Sequence, residues 1–473
     1  MNAPTPGDLV LLLPELILVG AALALILAAR RIRTRSVAMV ATLVAALAAT
    51  LASGWLMSRG EANGFGGMIT LDGYSQFFKI LVAASLALTA LLSVSRIDRD
   101  QTPRAEYHAL LLLASTGMML SVSAVDLLTL YLGLELMTIC SYILVGIAVL
   151  KPTANEAAIK YFLIASFASA LLLYGIGLTY GITGGTGFTA VAAALAGRPP
   201  GSQSLLIVAI GLMTAGLAFK IAAAPFHSWA PDAYQGASAP VAAFLASGSK
   251  AAGLAVLGRV CTIAFGSQSQ VLSLLLAGLA ALSIVTGSIL ALAQVDMKRL
   301  LAYSSIAHVG YALLGLMAGT ASGTSATMTY AFFYVFMTLG AFCVVVALGD
   351  RGESLDGYRG LAAQRPVMAV LMLLFLLSLT GIPPTAGFVA KFGVILSAVR
   401  AGQIWLAVLA VVFSVVSAFV YMRVAVIMYM EEPREAAPAR LPLALSAALA
   451  VTAFVTLIGG LFPGSLVRWA VSP

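Results

Sequence analysis

The sequence predicts an all-α polytopic membrane protein with about fourteen transmembrane helices, and three observations carry that prediction. Hydrophobic residues make up 61% of the 473 residues and charged residues only 9%, with a mean hydropathy of +1.03. A water-soluble domain of that composition could not cover its surface with polar groups. The apolar residues fall in runs of about 17–27, the length that crosses a hydrocarbon core as a helix. The runs also lack the period-two alternation of a barrel strand, and only helices and closed barrels satisfy every backbone group in lipid.

Taken in order, the expected spans are 9–29, 36–57, 75–95, 106–124, 126–150, 156–181, 202–224, 239–262, 269–295, 300–318, 326–349, 366–399, 403–430 and 441–462. The stretch 106–150 is read as two helices separated by a short turn before Asp126, and 366–399 as one broken span. The first run follows Asp8, and the basic cluster Arg30, Arg31, Arg33, Arg35 comes after it, which suits a retained first helix with its N-terminus outside and no cleavable signal peptide. Loops after odd-numbered spans hold 16 lysines and arginines and those on the other side hold 5, namely Arg59, Arg198, Arg259, Arg400 and Arg468. Arg99, Arg434 and Arg440 are among the 16. The asymmetry puts the odd-numbered loops in the cytoplasm and both termini on the outer side. The net charge of +8 is spread singly through loops, as membrane insertion explains, and implies no nucleic-acid partner.

Five cations lie inside spans instead: Lys79, Lys220, Lys250, Lys391 and Arg423. A charge at the bilayer centre costs roughly 2.5–3.5 kcal/mol on insertion scales, so a buried lysine is first read as functional. Lys79 and Glu15 stand near the outer ends of their spans and read as a snorkelling cation and an interface residue, and His108 reads as solvated. Arg423 also sits close enough to a span end to snorkel. Cys140, Cys261 and Cys343 each stand alone in an apolar run, so metal or cluster ligation by this chain and a disulfide framework are not expected. GITGGTG at 181–187 ends a span rather than joining a strand to a helix, and reads as an interhelical turn.

Two spans are interrupted by proline, the first at Pro225 and the second at Pro383 and Pro384. Proline removes a backbone donor and clashes with the preceding turn, and in lipid the freed carbonyls need protein or cavity water. Paired interruptions point to an inverted-repeat transport fold. Glu135 and Lys220 are 85 residues apart, and His308 and Lys391 are 83 apart. Lys220 to Lys250 is 30 residues and Lys391 to Arg423 is 32. The whole of 1–473 thus reads as a single membrane domain with a first five-helix repeat at 106–262, an inverted second at 269–430, and flanking helices in 1–105 and 431–473.

The candidate site residues are Glu135, Lys220, Lys250, His308 and Lys391. Glu135 is either a proton-handling carboxylate or a charge neutralised for packing, and Lys220 is its natural partner. His308 is either a satisfied core imidazole or a proton carrier, and its place in the repeat favours the carrier. His227 and Asp232 are read mainly as holders of the first break, and Trp229 as an interfacial or packing aromatic.

Three stretches go beyond composition: FKIAAAPFHSWAPDAYQGASAPVAAFLASGSKAAG at 219–253, VDMKRLLAYSSIAHVGY at 295–311 and GIPPTAGFVAKF at 381–392. Together they closely resemble the antiporter-like membrane subunits of proton-pumping NADH-quinone oxidoreductase, respiratory complex I, a family shared with Mrp-type cation/proton antiporters. The resemblance covers about residues 105–425. The chain stops after span fourteen and carries Lys391 where M-type members usually carry glutamate, which makes it similar to the N type. The resemblance implies proton movement along Lys220, Lys250, His308 and Lys391, with Glu135 paired to Lys220. It implies no cofactor in this chain, with NADH, FMN, iron–sulfur clusters and quinone in partner subunits. It implies a bacterial inner-membrane location and, as partners, the antiporter-like subunit M and the small subunit K. A cation/proton antiporter without redox partners remains the alternative, and a charged scaffold a third reading.

Overall fold

The computed structural model describes residues 6–32, 34–97, 100–196, 204–433 and 441–464. Arg33, Arg99, Arg198, Arg434, Arg440 and Arg468, counted above, lie outside the described residues. Among those described, 11 helices are long and apolar enough to cross a membrane. Three shorter apolar helices, Leu13–Leu27, Ser204–Lys220 and Pro366–Thr380, stand at the first, seventh and twelfth expected spans. The helical membrane fold is therefore the one composition and run length predict.

The boundaries differ at the interruptions. The seventh span ends at Lys220 rather than at residue 224, and the chain resumes as a helix at Trp229–Gly236. The twelfth is two helices, Pro366–Thr380 and Ala386–Arg400. The eighth, expected to be continuous, is also divided: Ala239–Ala246 and Gly248–Arg259 meet at Ser247, which has φ −109° and ψ −83°. Its last turn, Val260–Ala264, is π-helical. A short helix, Phe188–Leu195, follows the glycine-rich turn, and a hairpin of Ala62–Gly64 with Ile69–Leu71 lies between the second and third spans. Both elements are too short to show a period in the sequence.

Loop contacts sort the ends of the helices into two faces. On one face, Arg96 binds Asp350 and Glu353, each at 2.8 Å, Lys151 binds Asp100 at 2.5 Å, Lys298 binds Glu353 at 3.2 Å, and Arg359 pairs with Glu431. These residues come from loops after odd-numbered spans. On the other face, Arg259 binds Asp72 at 2.7 and 2.9 Å, the Val125 N–H donates to Met68 O, and Thr186 Oγ1 donates to Asp126 Oδ2. Burial alone would raise the Asp72 carboxyl, but Arg259 and the Ser75 N–H outweigh it and hold it below the ordinary carboxylate range. The parity read from charge counting is thus the parity of the contacts.

Two helix pairs repeat one packing register. Asp126 caps helix Leu127–Val145 through the Leu128 and Thr129 N–H groups, and Asp296 caps Met297–Met317 through that of Arg299. Gly117 lies as far before Asp126 as Gly287 lies before Asp296. A Cβ on Gly117 would come within 2.5 Å of Met137 N and 2.6 Å of Gly133 O. A Cβ on Gly287 would come within 2.4 Å of Ala307 N and 2.7 Å of Tyr303 O, the same two positions counted from Asp296. In this register the partner of Glu135 is Ser305, and that of Thr138 is His308. The spacing that matches Glu135 with His308 is thus one helical turn out.

Replacing a helical glycine by alanine should gain about 1 kcal/mol of helix propensity, so the sign of the change reports the contact. Gly287→Ala and Gly117→Ala should instead lower the melting temperature of the detergent-solubilised protein, because overpacking costs about 1–3 kcal/mol. Gly211→Ala, where nothing lies within 4 Å of the new Cβ, should not.

Candidate functional site

The site begins where the first broken helix stops. Helix Ser204–Lys220 ends in a left-handed residue, Ala222, with φ +57°. The Ala223 N–H donates to Ala218 O at 2.8 Å and the Ala222 N–H to Phe219 O at 2.9 Å, the paired bonds that close a helix C-terminus. Trp229 Nε1 adds a bond to Phe219 O at 3.0 Å while its ring stacks on Tyr161 at 4.3 Å. Of its two readings, Trp229 therefore takes the packing role. The Ala224 N–H donates to Ser283 Oγ at 2.8 Å. Each of these freed groups has a protein partner, as hydrocarbon demands.

Lys220 is the last residue of that helix, where the C-terminal end of the dipole favours a cation. Its Nζ donates to Glu135 Oε1 at 3.0 Å, Thr138 Oγ1 at 2.8 Å and Ser169 Oγ at 3.1 Å. Ser169 Oγ in turn donates to Glu135 Oε1 at 2.6 Å. The expected lysine–glutamate pair is formed. Thr138 and Ser169 complete it, and sequence reading missed both. Thr138 lies one turn from Glu135 and could have been found by that spacing, whereas Ser169 sits in another helix and could not.

Lys250 follows the Ser247 kink and is fully buried. Its Nζ donates to Ser305 Oγ at 2.6 Å and lies 5.9 Å from the centre of the Tyr234 ring. Among the described residues no carboxylate comes within ion-pair distance of Lys250 or Lys391. Beside them the two helices pack closely, since Ile221 Cγ2 fills the space a Cβ on Gly253 would need. Ser305 is one turn from His308 on the same helix. His308 Nδ1 and Tyr330 Oη are 2.6 Å apart, and the rings of Tyr311 and Tyr334 lie at 6.2 and 5.3 Å.

The second break repeats the stop. Gly381 has φ +88°, its N–H donates to Ser378 O, and the Ile382 N–H donates to Leu377 O. Lys391 lies beyond this break and not before it, so it is not the positional counterpart of Lys220. Its side chain nonetheless returns to the break. Its Nζ reaches back to Thr380 O at 2.8 Å, at the end of the first half-helix, and to Ser414 Oγ at 3.3 Å. It also stands 4.4 Å from the centre of the Tyr311 ring. Glycine suits 381 because of its positive φ, and a Cβ there would also crowd Lys391 Cδ at 2.8 Å. Tyr311 thus neighbours both His308 and Lys391, and Lys250 bonds Ser305 one turn from His308 on the same helix.

Other cations fall outside this set. Asp232 binds Arg299 at 2.6 Å and lies 3.8 Å from Lys160, which ties the first break to the start of helix Met297–Met317. Arg423 does not snorkel: it donates to Leu292 O and Gln294 O and finishes the end of helix Ser269–Leu292. Nor does Lys79 snorkel, because it is buried and binds Glu15 at 2.7 Å. His108 is buried rather than solvated, with Nδ1 3.0 Å from Thr42 Oγ1. These three readings failed because distance from a span end in sequence does not say what packs against the side chain.

Known proteins share the family and the fold. The family described as NADH:quinone oxidoreductase/Mrp antiporter, TM, matches residues 124–417. A protein of Desulfovibrio desulfuricans named NADH-quinone oxidoreductase subunit N is 44% identical, covering 98% of this chain and 97% of that relative. A chain in the structure of respiratory complex I from Thermus thermophilus with bound aureothin is 34% identical, with a TM-score of 0.83 over 97% of this chain and 99% of that one. A chain of the Mrp complex from Dietzia is 23% identical with a TM-score of 0.83 over 98% and 96%, a likeness of fold alone. The buried lysine–glutamate pair, the two broken helices and these matches together place the chain in the NADH:quinone oxidoreductase/Mrp antiporter membrane family, among the subunit N proteins.

Proposed function

We propose that this chain is a proton-translocating membrane-arm subunit of an NADH:quinone oxidoreductase, carrying protons along Lys220, Lys250, His308 and Lys391. One observation supports this above the others: four protonatable groups are buried inside apolar spans, each held by hydroxyls, a tyrosine or a backbone carbonyl, with Glu135 the one carboxylate partner among the described residues. An ammonium beside a carboxylate is stabilised by it. The same ammonium without that partner is an unpaired buried charge, which costs several kcal/mol. Movement of Glu135 away from Lys220 would therefore drive the Lys220 proton toward Lys250. The serine, threonine and tyrosine hydroxyls along the line both accept and donate, so they can pass a proton without holding a charge.

The shared packing register around Asp126 and Asp296, and the same helix stop at each break, support two five-helix units at about 106–262 and 269–430. Five spans is an odd number, so the second unit enters the membrane inverted. Each unit then supplies one half-channel ending at a broken helix. NADH, FMN, iron–sulfur clusters and quinone belong to partner subunits in this reading. Neighbouring membrane-arm subunits, M and K among them, would cover the flanks. The cytoplasm is the face of Arg96 and Lys298, and both termini lie outside, in the bacterial inner membrane.

Lys220→Ala and Glu135→Gln in the assembled complex should each slow NADH-driven proton movement into inverted vesicles by roughly a hundredfold, the scale of losing a proton-transfer group. Normal pumping by a fully assembled variant would overturn the assignment. Sodium-dependent proton exchange without NADH oxidation would instead favour the antiporter reading. For orientation, an alkaline phosphatase fused to the C-terminus should be active and a fluorescent protein there dark; the opposite pattern would invert the topology.

A further inference from the structure

The first four spans contain buried polar groups that the central line does not use. Helices Leu13–Leu27, Arg35–Met57, Gly73–Ser93 and Arg104–Ser123 pack on one another as a bundle. Toward the Asp72 face of that bundle, Lys79 Nζ binds Glu15 Oε1 at 2.7 Å, and both side chains are at most 5% exposed. Beyond this ion pair, neither Glu15 oxygen nor Lys79 Nζ has a hydrogen-bond partner among the described residues. Toward the opposite face, His108 Nδ1 meets Thr42 Oγ1 at 3.0 Å, while the buried Nε2 has no partner among those residues.

These two ends lie about 20 Å apart, taking about 1.5 Å per helical residue from Lys79 to Ser93, whose hydroxyl bonds Tyr107 beside His108. Between the ends, Ser53 Oγ and Ser115 Oγ are buried and likewise without partners among the described residues. Ser53 shares a helix face with Thr42, and Ser115 shares one with His108, by the helical period. The face between Thr42 and Ser53 is lined by Ala45, Ala46 and Ala49, all buried. Each orphaned buried group carries its desolvation cost unless a water meets it, and the alanines beside these are small apolar side chains. A polar surface pocket of about 390 Å³, lined by Gln101, Thr102, Arg104 and Glu106, lies one turn from His108.

A buried ion pair is weak evidence for stability, since apolar residues of like volume often serve as well. We propose that Glu15–Lys79 and His108 are the two ends of a second, water-bearing proton path through the first four spans, separate from the line through Lys220 and Lys391. The chemistry is proton transfer alone. The Lys79 ammonium gives its proton to the Glu15 carboxylate, leaving a neutral amine and a neutral acid. A proton entering at neutral His108 passes by water to that amine and restores the ammonium, and Glu15 gives its own proton to water on the Asp72 face. On each step one N–H or O–H bond breaks as the next forms, and charge is conserved. The path also touches the central line mechanically, since Ser85 on the Lys79 helix bonds Ser247 at 2.9 Å, at the kink that precedes Lys250.

The first test is a map of the assembled complex at a resolution that shows ordered water. Water should contact Glu15 Oε2, Ser53, Ser115 and His108 Nε2; a dry seam in which these atoms bond protein directly would overturn the proposal. The second counts protons moved per NADH oxidised in vesicles carrying the double variant Glu15→Gln, Lys79→Gln. A loss is expected, and an unchanged ratio overturns the path as a carrier. Should that variant not assemble, Ser53→Leu, which fills the alanine-lined face without touching a charge, should lower the same ratio, and an unchanged ratio is again fatal. Lys220→Ala measured in the same vesicles separates failure of this path from failure of the central line, and the water map depends on neither.

Discussion

Hydrocarbon offers no hydrogen bonds, so a helix broken inside it must find a protein partner for each backbone group it frees. Much of this structure follows from how the two breaks meet that demand. Each half-helix stops at a left-handed residue, Ala222 or Gly381, and closes its last carbonyls with the same pair of bonds. The remaining groups recruit side chains from elsewhere, Trp229 and Ser283 at the first break. At the second, Lys391 itself supplies the missing donor, to Thr380 O. An ammonium is suited to the place, because the C-terminal end of a helix carries partial negative charge. The breaks therefore create sites for buried cations, and the lysines in turn help the breaks persist.

Both breaks thus have a lysine beside them, at unequal positions in sequence and with different partners. Lys220 sits in the last turn before its break and Lys391 in the helix after. Lys220 Nζ meets a carboxylate and two hydroxyls of other helices, whereas Lys391 Nζ meets the carbonyl that ends the half-helix before it. The register of the helix pairs also bears on Glu135. Its positional counterpart is Ser305, which accepts from Lys250, so a lysine meets an oxygen at the same level in both halves. Only one of those oxygens belongs to a carboxylate. Of Lys220, Lys250 and Lys391, Lys220 alone has a charged partner among the described residues.

The same physics separates the buried charges into kinds. Arg259 with Asp72, and Arg96 with Asp350 and Glu353, are pairs at helix ends that fasten loops of one face together. Arg423 completes a helix terminus and touches no acid among the described residues. Glu15 with Lys79 resembles neither group, being buried within a bundle whose polar atoms outnumber their partners. A charge census cannot make these distinctions, since all of them read as a cation in or near an apolar run.

The sequence by itself determined the fold class, the order of the spans, the parity of the loops, the two proline breaks and the five candidate residues. Each of these follows from composition, run length or residue type, which are local properties and need no partner to be read. The Lys220–Glu135 pair was legible too, because two opposite charges in apolar runs have few alternatives to each other. Only the tertiary structure decided the rest: Ser169 beside Glu135, Tyr330 against His308, the kink at Ser247, the register that replaces His308 with Ser305, and the burial of Lys79, Glu15 and His108. All of these depend on which helix faces which across long sequence separations. Serines, tyrosines and alanines occur throughout apolar helices, so nothing in their identity marks the few that meet a charge. Packing selects them, and packing is a property of the assembled bundle.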